Sequence, residues 1–311
     1  MPYAEQLTII LGADGFVGRN LVAYWRAHGW PVHPVGRAAG NFTDAAVVDS
    51  VFRAIPRAGR ILHAITKQRT GAIQYEMQGE LLHDNARIHL NVLDAWRRYQ
   101  PQAKLISLGS SCTYPESTQP LPESSFGIGT PHPSVRGYAL AKQVLATGCE
   151  TYGKQYGLRW LHCVLATVYG PHAHAEPHRS HFMAALIARA AAAKASGATE
   201  FEVWGNPDTV RDLLYVSDQI EAVIAADQTF DNTILNVTPN APVTIGQCAE
   251  SILRALDWPA RMIQPPGSFQ GAGYKSLDSG RFLTATAWRP QIGLEEGVRR
   301  TLMVNPGDYR T

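Results

Sequence analysis

The sequence predicts an α/β fold: a parallel sheet with helices on both faces, followed by a smaller C-terminal lobe. Three observations carry this. Short β-rich apolar runs alternate with helical stretches through the first half of the chain, the pattern of a sheet covered on both sides. A glycine-rich turn, Gly12-Ala13-Asp14-Gly15-Phe16-Val17-Gly18, joins the first apolar run to the first helical stretch. The composition, 45% hydrophobic and 17% charged over 311 residues, supports a sizeable core and excludes wholesale disorder.

Residues 7–11 (LTIIL) read as a buried strand ending at Gly12. Residues 16–28 carry a helical pattern that stops at Gly29, and residues 32–35 read as the second strand. Strand, glycine turn, helix and strand make one βαβ unit, the start of a Rossmann-type sheet. The spacing next predicts a helix over 44–54, a strand over 61–65, a long helix over 81–99 and a buried strand over 104–109. A second long helix over 138–156 and a strand over 160–165 follow. After Gly170 the texture changes. Residues 171–181 form a His-rich, Pro-containing loop, and 181–195 an Ala-rich helix. A strand over 201–204, a helix over 220–226, a late sheet strand over 233–237 and a helix over 244–256 come next, with a Pro- and Gly-rich stretch at 265–273. The expected division is a dinucleotide-binding domain over 1–170, with late elements near 210–240 returning to it, and a mainly substrate-binding lobe over 171–311.

The balance of 28 basic against 26 acidic residues, net +2, argues against a dedicated nucleic-acid binder. No apolar run reaches the roughly 18 residues of a membrane span, and the polar residues 1–6 carry no expectation of a targeting segment. Cys112, Cys149, Cys163 and Cys248 include no CxxC pair, so free thiols in the cytoplasm are the expectation.

Between a strand and a helix, the glycines of GxxGxxG permit a tight turn and let backbone N–H groups approach a pyrophosphate at the helix N-terminus. Gly12, Asp14, Gly15, Phe16, Val17 and Gly18 are the expected cofactor cradle; a tight turn without a ligand is the plainer alternative. The second strand ends in Val35-Gly36-Arg37. An NAD site has an acid there for the ribose 2′-OH, whereas an arginine suits a 2′-phosphate. Arg37 therefore points to NADP(H).

Tyr138-Ala139-Leu140-Ala141-Lys142 is YxxxK on a helix, and i, i+4 spacing sets both side chains on one face. A free phenol has a pKa of about 10, and a neighbouring ammonium is expected to lower it toward working pH. Ser110 and Ser111 lie at the end of a sheet strand, where ligands of such sheets bind. A serine there can hydrogen-bond a substrate oxygen beside the tyrosine; a strand-capping role is the alternative.

Glycine turn, strand-end serine and YxxxK, in that order, resemble the extended branch of the short-chain dehydrogenase/reductases, which acts on nucleotide sugars. More specifically, the chain resembles the GDP-L-fucose synthase family. The stretches GSSCTYP at 109–115, VYGPH at 168–172, SHFMAAL at 180–186, VWG at 203–205, RDLLYV at 211–216 and KSLDSGR at 275–281 carry that resemblance. It implies NADPH-dependent reduction at C4, with C3/C5 epimerisation, of a GDP-linked 4-keto-6-deoxy sugar. Ser110 and Tyr138 would hold the C4 carbonyl oxygen and Tyr138 would protonate it, while Lys142 would hold the nicotinamide ribose and tune Tyr138. Cys112 and His181 match the epimerisation pair; taken alone, the first reads as a small buried residue and the second as a helix-terminal one. Arg189, Arg211 and Lys275 match positions that neutralise the diphosphate or contact the nucleotide. Trp204 matches a position near the nucleotide, and Ser111 and Thr167 would line the sugar. The resemblance also implies a homodimer joined through the two long helices.

The chain departs from the family at Thr167, where an Asn is usual, at Thr66-Lys67-Gln68, and at residues 269–274. These positions lie where sugar and base would sit. Reduction of another 4-keto sugar nucleotide without epimerisation therefore stays open, as do an NAD-retaining 4-epimerase and an NADP-sensing protein on the same fold. His172, His174, His178 and His181 crowd one loop, but no cysteine or carboxylate completes a familiar ligand spacing, and no metal is expected.

Overall fold

A computed structural model describes residues 3–71, 73–173, 181–265 and 272–304. The first half comprises β1 (Thr8–Leu11), α1 (Phe16–Ala27), β2 (Val32–Val35), α2 (Ala45–Ala54), β3 (Arg60–His63), α3 (Ile73–Glu76), α4 (Gln78–Tyr99), β4 (Lys104–Ser110), α5 (Arg136–Tyr156) and β5 (Trp160–Leu165). The second comprises β6 (Thr167–Tyr169), α6 (Phe182–Ala195), β7 (Glu200–Glu202), β8 (Val210–Tyr215), α7 (Val216–Thr229), β9 (Thr233–Val237), β10 (Pro242–Thr244), α8 (Ile245–Ala255), β11 (Arg261–Ile263), β12 (Tyr274–Lys275), α9 (Gly280–Thr286) and α10 (Leu294–Val304).

Six parallel strands form the central sheet in the order β2-β1-β3-β4-β5-β9. Alternate residues of each strand point to opposite faces, so both layers are apolar. On one face Ile10, Leu62, Ile106, Leu161 and Leu235 pack with Leu21 and Trp25 of α1 and Ile220 and Val223 of α7. On the other, Ile9, Ile61, Leu105 and Trp160 pack with Phe52 of α2, Val92 and Trp96 of α4, and Leu145 of α5. Pro34 cannot donate to a ladder, and β2 is accordingly an edge strand. The chain is thus a Rossmann-type α/β protein.

Within 210–240, β9 and α7 belong to the central sheet and its cover, whereas β8 is the hub of a second sheet. It pairs parallel with β6 and β12 and antiparallel with β10. β7 pairs with β11. The lobe has its own core, in which Met183, Leu186 and Ile187 of α6 meet Leu213, Phe201, Ile252 and Val298. Among the described residues, no helix is long and apolar enough to cross a membrane.

Candidate active site

The glycine turn leaves the carboxyl end of β1. Gly12 has φ +86, and a Cβ there would come within 2.9 Å of the Ile65 nitrogen. Gly18 lies against the Gly12 carbonyl, where any side chain would overlap it, so helix and strand meet backbone to backbone. Gly15 donates its N–H to the Gly12 carbonyl at 3.0 Å and precedes α1, which Phe16 and Val17 open. The Asp14 carboxylate accepts the Arg37 backbone N–H at 2.6 Å, tying the end of β2 to the turn. The Arg37 side chain is exposed. Bare backbone at the N-terminus of a 12-residue helix, with a cation at the adjoining strand end, fits a dinucleotide carrying a 2′-phosphate.

β4 ends at Ser110, whose hydroxyl oxygen accepts the Cys112 N–H at 3.2 Å. Tyr138 is buried, and Ser110 and Thr66 are the polar side chains that act on its hydroxyl. Gln78 fixes the start of α5: it accepts the Gly137 N–H at 2.6 Å and donates to the Ser134 carbonyl at 2.8 Å. Thr66 is held by Asn85, whose side-chain oxygen accepts from the Thr66 hydroxyl and the Lys67 N–H.

The expected lowering of the phenol by Lys142 needs correction. Burial pushes Tyr138 up, the Cys112 charge adds to this, and the hydrogen bonds from Thr66 and Ser110 only partly oppose it. The Lys142 ammonium sits 5.9 Å from the ring centroid and donates to the Leu108 carbonyl at 2.9 Å. The i, i+4 spacing sets both residues on one face, but the carbonyl at the sheet end is the stronger acceptor for the amine. Burial lowers Lys142 to about 8. Beneath it lies a buried polar layer: His63 Nε2 contacts His89 Nδ1 at 2.9 Å, and Ser107 Oγ contacts His162 Nδ1 at 2.7 Å. Burial first, then the Lys142 charge, holds His63 and His162 down to about 3, so both are neutral.

Cys112 lies in a short 3-10 turn, Ser111–Thr113, that α5 braces through Gln143 Nε2 and the Thr113 carbonyl at 2.8 Å. Ser111, Cys112, Glu116, His132, Tyr274 and Lys275 line one pocket. The Lys275 ammonium donates to Cys112 Sγ at 3.5 Å. Burial alone would push the thiol up; the Lys275 charge, the hydrogen bonds from Ser110 and Lys275, and Arg211 outweigh it, so Cys112 is lowered. His132 Nδ1 accepts the Ser134 N–H at 3.2 Å, which puts the ring proton on Nε2, 3.7 Å from Glu116 Oε1.

His181 immediately precedes α6, and the imidazole among the described residues lining the Cys112 pocket is that of His132. His174 and His178 lie outside the described residues, as do residues 269–271. Arg189 stacks its guanidinium over the Trp204 ring, 4.1 Å from the centroid; the indole is 55% exposed and its N–H donates to Glu202. Arg189 Nη1 is buried without a hydrogen-bond partner among the described residues. Arg211 donates to the Val210 and Ala272 carbonyls at 2.7 and 2.8 Å. Thr167 opens β6 beyond the end of β5. Among the described residues, no group of three or more His, Cys, Asp or Glu is arranged to hold a metal.

Sequence reasoning missed Thr66, Asn85, Gln78, His132 and Glu116. Thr66 carried a faint signal as a departure in a strand-end loop; the others reach the site only through long-range contacts.

A sequence profile of the NAD dependent epimerase/dehydratase family matches residues 8–238. The chain is similar to the probable GDP-L-fucose synthase 1 of Oryza sativa subsp. japonica, at 34% identity over 219 residues, covering 70% of this chain and 66% of that protein. It is similar to the GDP-L-fucose synthase of Escherichia coli (strain K12), at 30% identity over 276 residues, covering 85% and 82% of the two chains. The crystal structure of a GDP-L-fucose synthetase from Naegleria fowleri bound to NADP superposes with a TM-score of 0.86 at 20% identity, covering 98% and 94% of the two chains.

Proposed function

Because the chain belongs to the NAD dependent epimerase/dehydratase family, we propose that it acts on a GDP-linked 4-keto-6-deoxy sugar, exchanging protons at C3 and C5 and reducing C4 with NADPH. It is an NAD(P)-dependent oxidoreductase/epimerase, and its relatives of known name support the GDP-sugar class. The observation that carries the reading is the meeting of two acid–base groups at the end of β4: the Tyr138 hydroxyl with Ser110 and Thr66, and Cys112 with Lys275.

The Cys112 thiolate takes a proton from a carbon beside the ketone. The C–H bond breaks, an S–H bond forms, and the electron pair moves into the C4–O group, whose oxygen Ser110 and Tyr138 hold. His181 returns a proton from the opposite face, inverting the centre. NADPH, when bound, supplies the hydride for C4. Tyr138 then gives its phenolic proton to the C4 oxygen, so the ketone becomes an alcohol. The burial that raises Tyr138 keeps it protonated at neutral pH, the form an acid requires. Lys142 keeps N–H donors beyond the one to Leu108 for the nicotinamide ribose. Arg189, Arg211 and Trp204 serve the diphosphate and base, with Ser111 and Thr167 beside the sugar. Pairing through α4 and α5, which expose Leu90 and Tyr156, would make a homodimer.

Incubation with a panel of 4-keto sugar nucleotides in D₂O tests the reading. NADPH absorbance reports reduction, and product NMR reports deuterium at C3 and C5. Oxidation of NADPH with deuterium at both carbons is expected from the GDP-linked 6-deoxy sugar; no oxidation with any member refutes the assignment. Arg37→Ala is expected to raise KM for NADPH by about 10–100-fold, the loss of one charge-assisted contact, and to leave KM for NADH unchanged. Steady-state kinetics with both cofactors checks this; equal effects on the two would remove Arg37 from the 2′-phosphate.

A further inference from the structure

Lys275, one of the cations expected at the diphosphate or nucleotide, is in contact with a sulfur. We propose that Lys275 is a positioning residue whose ammonium, by direct contact with Cys112 Sγ, favours the deprotonated form of that thiol. The proposal deepens the reading of Cys112 as the carbon base and rests on it only for its catalytic consequence.

The fold sets the contact. Lys275 and Arg211 are register partners in the parallel β12–β8 pair, so their side chains leave the same face side by side. Asp212, next along β8 and buried, accepts the Ser276 hydroxyl at 3.1 Å and the Leu277 N–H at 2.9 Å, which clasps the chain just after Lys275. Two cations in facing positions repel each other. Arg211 donates from Nη1 and Nη2 to the Val210 and Ala272 carbonyls, whereas the Lys275 amine reaches Cys112 at 3.5 Å. A sulfur anion that both cations act on offsets their repulsion; a neutral thiol does not.

Ser110 stabilises the anion through its hydrogen bond, and Tyr138 is an uncharged neighbour at neutral pH. His132 lines the same pocket as a neutral ring, lowered by burial and by Lys275 and Arg211, with Glu116 beside its Nε2. Neither ring nor phenol supplies the positive charge, and Lys275 is the cation in contact with sulfur. The remaining thiols are distinguishable, because burial pushes Cys149 and Cys248 up to about 12 and Cys163 higher still.

The test is the pH dependence of Cys112 alkylation by iodoacetamide, followed by peptide mass, in the full chain, Lys275→Met and Lys275→Arg. Lys275→Met is expected to move the midpoint up by about one pH unit or more, and Lys275→Arg to keep it near the parent value. Near-ultraviolet circular dichroism checks folding, and Lys275→Arg keeps the charge comparison available should the Met variant misfold. An unchanged midpoint in folded Lys275→Met overturns the proposal, and with a raised KM for the sugar nucleotide it makes Lys275 a phosphate anchor. If the midpoint moves as expected but Cys112→Ser leaves deuterium exchange intact, Lys275 stands and the reading of Cys112 as base falls.

Discussion

Tyr138→Phe is expected to lower the rate of C4 reduction by about 10²–10⁴-fold, the range a positioned general acid supplies. The ring stays the same shape, and Ala139, Ala141 and Leu145 of the same helix are fully buried, so the fold should tolerate the loss of one hydroxyl. What disappears is the proton that must reach the C4 oxygen as the ketone is reduced. Proton exchange at C3 and C5 should suffer less, because Ser110 still hydrogen-bonds the enolate oxygen. The sign of the pH dependence follows from burial. A phenol raised above its ordinary value stays protonated through the neutral range, so the reduction rate should show no alkaline loss there from this group. Single-turnover oxidation of NADPH measures both points, and near-normal turnover in the Phe variant would contradict the role.

The second large effect is at Cys112. Replacing the sulfur by oxygen in Cys112→Ser leaves a group of similar size whose hydroxyl does not ionise near neutral pH. Deuterium entry at C3 and C5 should fall by about 10²–10⁴-fold and by more than reduction does, since the carbon base is lost while the Ser110–Tyr138 pair remains. Product NMR from D₂O reads the two steps separately. Unchanged exchange would make Cys112 structural and favour a reductase without epimerisation.

Much of the central sheet is legible in the sequence. Apolar runs such as residues 7–11 and 160–165 sit in strands because both of their faces are buried, and Asp44 caps α2 at the expected helix start. The strands β6, β10, β11 and β12 were not legible. At two or three residues they carry no usable period, and each exists because a distant strand offers it a ladder.

The candidate site divides along the same line. Sequence alone determined which side chains share a face and which lie at strand ends: the glycine turn, Ser110 after β4, and Tyr138 with Lys142 on α5. It did not determine what each polar group meets. Lys142 reaches the Leu108 carbonyl, Lys275 reaches Cys112, and His132 lines the Cys112 pocket. Only the tertiary structure decided these, because a hydrogen bond or ion pair goes to the partner that packing brings near. For Lys275 that partner lies 163 residues away in the chain. Local spacing determines direction; the fold determines company, and with it the charge each group carries.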